Sequence, residues 1–325
     1  MRIIFATIAA IVALTKTSYA QSVDYSVVLV PEESGTEITC VTDQGDYVCL
    51  PLVKRTGNGI NWFSNRILDI SKNGKEIAYL SARDNTTNIY IKELGKQGGS
   101  VQRTNRAAVM DFSYSPNGGK ITFCERRGNT NQVFLTDARN GYTCRQITNA
   151  ALDYSPIYSS DMSQIFFTRQ ERRGTCIWSY SVEEKFLTAH TPGMNPYPIT
   201  GEDAYICVRT NAQSQPEIWK VNYKTGVEEC IVSDPTRGFT SPVVSPDGLW
   251  MAFVGSSMIE HEGSRYWNTD IYAARLDGTS MTQLTYHAAD DLSPVWSRDG
   301  KYIYFISQRG NPEGTANIWR MIFNY

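Results

Sequence analysis

An all-β, six-bladed β-propeller is the fold class this sequence predicts. Three observations predict it: an internal repeat of blade length, a tight-turn signature at the same place in each copy, and a last copy that stops one strand short. The clearest copy runs Ser293-Pro294-Val295-Trp296-Ser297-Arg298-Asp299-Gly300 and continues Lys301-Tyr302-Ile303-Tyr304-Phe305. Ser241 to Phe253 repeats it, and Leu68 to Gly74 and Phe112 to Gly118 fit the same frame. Pro156 to Phe167 and Pro196 to Cys207 are degenerate copies, with Met162 and Glu202 at the turn-glycine position.

The six turn positions are 74, 118, 162, 202, 248 and 300, spaced by 44, 44, 40, 46 and 52 residues. Four short strands and their turns need about 40–50 residues. The turn chemistry is local: Asp or Asn bonds its own backbone and Gly takes a positive φ. Each repeat then places an apolar pair at the start of its third strand, from Ile89-Tyr90 and Val133-Phe134 through Ile177-Trp178, Ile218-Trp219 and Ile271-Tyr272 to Ile318-Trp319. A fourth strand often ends in a Leu-Thr or Ile-Thr step, as at Ile147-Thr148 and Leu284-Thr285. Blades cannot bury both faces alone, so six close into a ring. The last copy lacks a fourth strand, and Tyr47–Val53 is expected to supply it, with Thr36–Thr42 as a hairpin partner outside. Residues 21–60 are thus read as N-terminal strands that include the closure strand, and 61–325 as the propeller.

The run from Asp291 to Arg309, continued by Asn317-Ile318-Trp319, resembles the repeat of the TolB-like (WD-like repeat) six-bladed propellers. The resemblance covers residues 61 to 325, strongly in blades one, two, five and six. It implies the fold; it does not imply one function, because such repeats occur in periplasmic binding proteins, peptidase propeller domains and polysaccharide lyases. Two departures restrict it further. Only about forty mature residues precede the first repeat, where TolB-type proteins carry a sizeable α/β domain. A Gly-x-Ser-x-Gly elbow, the mark of the hydrolase domain in propeller peptidases, is missing from the sequence.

The N-terminus reads as a secretory signal peptide over residues 1–20. Arg2 gives a positive start, Ile3 to Leu14 an apolar stretch, and Ser18-Tyr19-Ala20 a cleavage site. Twelve helical residues reach only ~18 Å against a hydrocarbon core of ~30 Å. The mature chain is therefore expected to lack a transmembrane segment, and to be periplasmic or secreted. Its net charge of −2 argues against nucleic acid, which favours a basic face.

Seven cysteines are present. Cys40 and Cys49 flank Asp43-Gln44-Gly45-Asp46, which reads as a hairpin turn that would set the two side chains opposite each other, a disulfide candidate. Two small hydrophobes on an outer strand is the other reading. No metal-ligand spacing or cofactor motif occurs, so neither metal nor cofactor is expected.

Following the strands identifies one face on which inter-blade connections and second-to-third-strand loops meet around the channel. The residues ahead of each inner strand form a ring there: Asn65 and Arg66, Met110 and Asp111, Asp153 and Tyr154, Asn195, Phe239 and Thr240, Asp290 and Asp291. Carboxylates, amides and aromatics in one ring suit a peptide or a sugar; Asp and Asn satisfying loop backbone is the structural alternative. The segment from Gly255 to Thr269 reads as the longest loop on this face, with Tyr266 and Trp267 as contact candidates. The second-to-third-strand loops are rich in arginine, at Arg83, Arg126, Arg127, Arg169, Arg172, Arg173, Arg209 and Arg309. Several occupy equivalent positions, which suggests a structural role, whereas Arg172-Arg173 falls beyond the repeated position and is open to an acidic ligand. Only three histidines exist, and no catalytic constellation is found. The resulting expectation is a monomeric, non-enzymatic propeller that binds an envelope protein segment or a glycan. The alternative is a carbohydrate-active enzyme, a lyase or glycoside hydrolase, using Asp111, Asp153 and Asp291 as channel-mouth carboxylates. A scaffold that binds partners on its blade sides is a third reading.

Overall fold

A computed structural model describes residues 25–324 apart from 97, 150, 262 and 312; the signal peptide read at residues 1–20 lies outside the described residues. Six four-stranded antiparallel sheets are arranged as blades. In the first, Leu68–Ile70, Glu76–Arg83, Thr86–Glu93 and Val101–Gln102 follow one another from the inside outwards. Blades two to five repeat this order, beginning with inner strands Val109–Tyr114, Asp153–Tyr158, Met194–Pro198 and Gly238–Val244. Among the described residues no helix is long and apolar enough to cross a membrane.

The sixth blade is built from both ends of the chain. Asp291–Trp296, Tyr302–Ser307 and Asn317–Ile322 are joined by Ile38–Cys40, which pairs Ile38 with Met321 and Cys40 with Trp319. Closure by the N-terminal segment therefore holds, but the strand differs from the expected one. To the blades, Tyr47–Val53 contributes only isolated bridges from Val48 to Ser81 and Ala316. The reason is the turn between them: Gln44–Asp46 forms a 3-10 turn capped by Asp43 and does not reverse a hairpin. The carboxylate of Asp46 is held inside blade one by Lys92 Nζ at 2.8 Å and the Tyr79 hydroxyl at 2.8 Å. Without a hairpin, Cys40 and Cys49 are not paired across strands. Both are unbridged, and Cys40 Sγ approaches the Thr42 carbonyl.

A buried ion cluster reinforces closure. Arg309, fully buried, donates to both carboxylate oxygens of Glu33 at 2.9 and 3.0 Å and to Asp291 in the inner strand of blade six. A lone buried charge is strongly disfavoured, so these three side chains are stable only as a set.

The turn motif forms as its chemistry predicts. In five blades a Ser hydroxyl bonds the Asp or Asn two residues on, and that side chain accepts the backbone N–H two residues further, as at Ser297, Asp299 and Lys301. Gly74, Gly118, Gly248 and Gly300 have φ between 69° and 74°, and Met162 adopts φ 63° in the same place. Blade four differs for a physical reason. Glu202 sits where the glycine should be, and the left-handed residue is instead Gly201 one step earlier, at φ 78°. A type II turn requires its positive φ at that earlier position.

The repeated arginines are structural, as their equivalence suggests. Arg83 lies 4.1 Å from the Tyr90 ring centroid, Arg127 4.7 Å from Phe134, Arg169 4.6 Å from Trp178 and Arg209 4.8 Å from Trp219. Each covers the aromatic member of its blade's apolar pair. The repeated threonine has a role too: Thr148 and Thr285 hydroxyls accept the backbone N–H of Val133 and Ile271.

Ser-Pro and Asn-Pro steps mark an irregularity in the channel wall. Ser155, Asn195, Ser241 and Ser293 have φ between 51° and 57°, and each precedes a proline. In each case the pairing with the second strand slips by one residue, a β-bulge. A left-handed non-glycine residue costs about 1–2 kcal/mol, which the surrounding ring must overcome.

Candidate functional site

The two ends of the channel are unlike. At the end carrying the inter-blade connections, Val53–Arg55 and Asn61–Ser64 form a separate two-stranded hairpin that lies over the opening. Its contacts run from blade two to blade six. Leu52 N–H donates to Asn65 Oδ1, and Asn65 Nδ2 to the Met110 carbonyl. Phe63 packs with Met194 and Val208, its ring 5.5 Å from Tyr154 and edge-on to it. The Ser64 carbonyl accepts Asn195 Nδ2 at 2.9 Å and the Ser241 hydroxyl. Asn61 N–H reaches the Ser256 hydroxyl, and Arg55 pairs with Asp290 at 3.3 Å. Gly238 is required where Ile60 lies against it, because a Cβ would clash with both Ile60 and Pro216.

The ring of residues expected to meet a ligand at this end is mostly engaged in that covering. Asp153 is fully buried in a two-pronged bond with Arg169, at 2.7 and 3.0 Å. Asp111 is fully buried and accepts Ser155 N–H of the next blade at 2.8 Å. Asp291 belongs to the Arg309 cluster, Asp290 holds Arg55 and the Thr269 hydroxyl, and Phe239 is core against Phe253. Asp111, Asp153 and Asp291, the three carboxylates of the enzymatic reading, bond into their blade walls rather than to one another. Asn65 and Tyr154 do share a cleft of about 310 Å³ with Lys54, Phe63 and Arg126.

The segment 255–269 is no loop. Trp250–His261 and Ser264–Arg275 extend the second and third strands of blade five into a long hairpin, with Met258 opposite Trp267 and Ile259 opposite Tyr266. Both Tyr266 and Trp267 are half-buried, and Trp267 lies on Gly59 of the covering hairpin, where a Cβ would clash with its ring. The lack of polar–apolar alternation in Ser256-Ser257-Met258-Ile259-Glu260 obscured this hairpin in the sequence, because a strand that leaves its blade has no neighbours to set its pattern.

The other end is open. A cavity of about 420 Å³ sits at the mouth formed by the tight turns. Its rim is the residue after the first position of each turn motif: Lys72, Pro116, Ser160, Thr200, Pro246 and Arg298. The sequence carried this signal in the position between Ser and Asp, which varies while the turn around it does not. The walls are polarised. Blades two to four contribute Tyr114, Tyr158 and Tyr197, whereas blades six and one contribute Arg298, Lys72 and Arg66, with Asp69 as the one carboxylate, 3.7 Å from Arg298. Arg298 is tied to blade one through the Ser71 and Ile70 carbonyls.

Arg66, a ring candidate, reaches this cavity. It also borders a void of about 10 Å³ deeper in the channel, lined by Ser64, Asn195 and Ser293, and so separates the covered end from the open one. Its Nη2 donates to the Pro196 carbonyl at 3.3 Å and its guanidinium lies 5.3 Å from the Tyr197 ring centroid, while Nη1 is buried without a hydrogen-bond partner. Burial lowers its pKa, against the raising influence of Tyr197, Asp69 and Asp111. Asp111 is pushed up to about 7 by desolvation, which outweighs the Ser155 N–H and the Arg66 charge. Among the described residues no cluster of His, Cys, Asp or Glu could hold a metal ion.

The sequence profile of the TolB beta propeller domain matches residues 67–253. The chain belongs to the TolB β-propeller family. Solved structures agree on the fold. A putative TolB from Agrobacterium tumefaciens superposes with a TM-score of 0.59 at 16% identity, covering 82% of this chain and 94% of that one. TolB from Acinetobacter baumannii gives 0.59 at 18% identity, over 77% of this chain and 64% of its own. An oligogalacturonate lyase in complex with manganese gives 0.55 at 11% identity, over 89% and 98%. The TolB fold is thus shared by proteins with different activities, and the family alone does not separate binding from catalysis.

Proposed function

We propose that this protein is an exported binding propeller of the periplasm that takes an acidic protein segment into the turn-side mouth of its channel. The observation that carries this reading is Arg66: a buried guanidinium nitrogen without a partner, at the inner end of a 420 Å³ cavity. An unpaired buried donor costs about 1–3 kcal/mol, and a carboxylate entering the mouth would remove that cost. Lys72 at the rim, which has no ion pair among the described residues, favours approach of the same charge, and Arg298 offsets Asp69, the one carboxylate of the cavity. Tyr114, Tyr158, Tyr197, Val243 and Val295 offer the opposite wall to apolar side chains of an extended segment. The ligand end is therefore the opposite one from that suggested by the inter-blade ring. Support for a binding rather than a catalytic role comes from Asp111, Asp153 and Asp291, each of which already holds a blade in place.

Site-specific photo-crosslinking in cells tests the reading. A crosslinker at position 72 is expected to capture an envelope protein, and one at position 58, on the covering hairpin, is not. Arg66→Gln should abolish the capture. Capture from position 58 alone, or glycan turnover lost in Asp153→Asn, would defeat the proposal.

A further inference from the structure

A second cavity, of about 690 Å³, opens on the turn face at the seam between blades one and two. Lys72, Arg103 and Arg139 line it, with Glu76 as its one carboxylate. Among the described residues none of these three cations forms an ion pair. That sets them apart from Arg106, Arg169, Arg209 and Arg309, each of which has a carboxylate partner.

Two buried polar atoms at this seam lack hydrogen-bond partners: the Tyr114 hydroxyl and Arg103 Nε. Tyr114 is only 7% exposed, and its hydroxyl feels the charges of Arg103 and Arg298 as well as those of Asp69 and Glu76. Buried polar groups are nearly always paired in folded proteins, so two orphans at one cationic seam call for an acceptor. Geometry keeps the seam accessible to one. Gly118, at φ +72°, lies against the Lys72 stem, so the lysine leans across from blade one to blade two. Arg103 Nη1 donates to the Arg139 carbonyl, which ties the Arg103 side chain of blade one to the Arg139 segment of blade two.

We propose that this seam binds an oxyanion, the phosphate or carboxylate group of a small ligand. Guanidinium and ammonium donors form short charge-assisted bonds to such groups, and Arg103 Nε and the Tyr114 hydroxyl, on residues that line the same cavity, supply two further unpartnered donors. Lys72 and Tyr114 line both cavities, but Arg103 and Arg139 line only the seam and Arg66 only the channel, so variants of Arg139 and Arg66 separate this inference from the channel reading.

Calorimetric titration of the mature protein at low ionic strength, with inorganic phosphate and with glucuronate as probes, tests it. At least one probe is expected to bind, and the tighter of the two identifies the source of the oxyanion. Arg139→Gln and Tyr114→Phe should each weaken it about tenfold, equivalent to about 1.4 kcal/mol, while Arg66→Gln leaves it unchanged. Arg139 lies in an exposed turn, so its variant keeps the reading testable if Tyr114→Phe folds poorly. Absence of binding by both probes overturns the proposal, as does binding that responds to Arg66→Gln and not to Arg139→Gln.

Discussion

The covered and open ends of the channel are made from the same six repeats, yet their polar residues do different work. At the covered end, charged groups are matched within the fold: Asp153 with Arg169, Asp290 with Arg55, Asp291 and Glu33 with Arg309. At the open end, neither Lys72 nor Arg66 forms an ion pair among the described residues, and only Arg298 reaches a carboxylate, that of Asp69 at 3.7 Å. Charge that is matched internally stabilises a fold, and charge left unmatched in a cavity is available to another molecule. Substitutions that break these matched pairs at the covered end should therefore cost stability, and those at the open end should cost binding.

The largest effect is expected at the Arg309 cluster. Arg309→Met leaves Glu33 and Asp291 as buried uncompensated charges, and equilibrium denaturation should show a loss of about 3–5 kcal/mol. Phe63→Ala removes the side chain that seats the covering hairpin on Met194 and Val208. It should cost about 3 kcal/mol in the same measurement and make 53–64 the first site of limited proteolysis. Asp111→Asn comes next and has the opposite sign. An acid whose folded pKa is raised to about 7 destabilises the fold above that pH, and the cost fades as pH falls towards its ordinary value of 3.8. Wild-type protein should therefore gain on the order of 2–4 kcal/mol between pH 8 and pH 4 from this group, and Asp111→Asn should flatten that rise while stabilising the protein at pH 8. Lys72→Ala should change stability by no more than about 0.5 kcal/mol. Loss of stability from Lys72→Ala comparable to that from Phe63→Ala would erase the distinction between the two ends.

Local chemistry made most of the fold legible. A Ser, an Asp and a Gly within four residues determine a turn, so the six turns can be located from the residues alone, and even Met162 adopts the backbone its position demands. Where one residue changes the turn type, at Gly201 and Glu202, the left-handed residue lies one step earlier than the repeat implies. Contacts between distant segments are harder to read. Ile38–Cys40 and Tyr47–Val53 have similar strand character, and only the 3-10 turn at Gln44–Asp46 decides which of them meets Asn317–Ile322. The ring from Asn65 to Asp291 does lie at one end of the channel, as its place in the repeat implies. That residues 53–64 cover it depends on Phe63, Asn61 and Arg55 finding partners more than a hundred positions away, which no periodicity announces. Conversely, the rim of the open mouth is hidden inside the motif that reveals the fold, in the variable position after each turn's first residue.

The shared sixth blade constrains how the molecule is made. Glu33 and Arg309 are 276 residues apart, and bringing two such points together in a flexible chain costs roughly 5 kcal/mol in loop closure. Neighbouring strands within blades one to five need far shorter loops, so those blades can form while the chain is still emerging. The early segment around Ile38 must wait until residues 317–322 arrive. Until then the partial ring has two unpaired edges, the features most prone to join with another chain. Ring completion is accordingly expected to come late in folding, and is the step at which a holding chaperone would have most to protect.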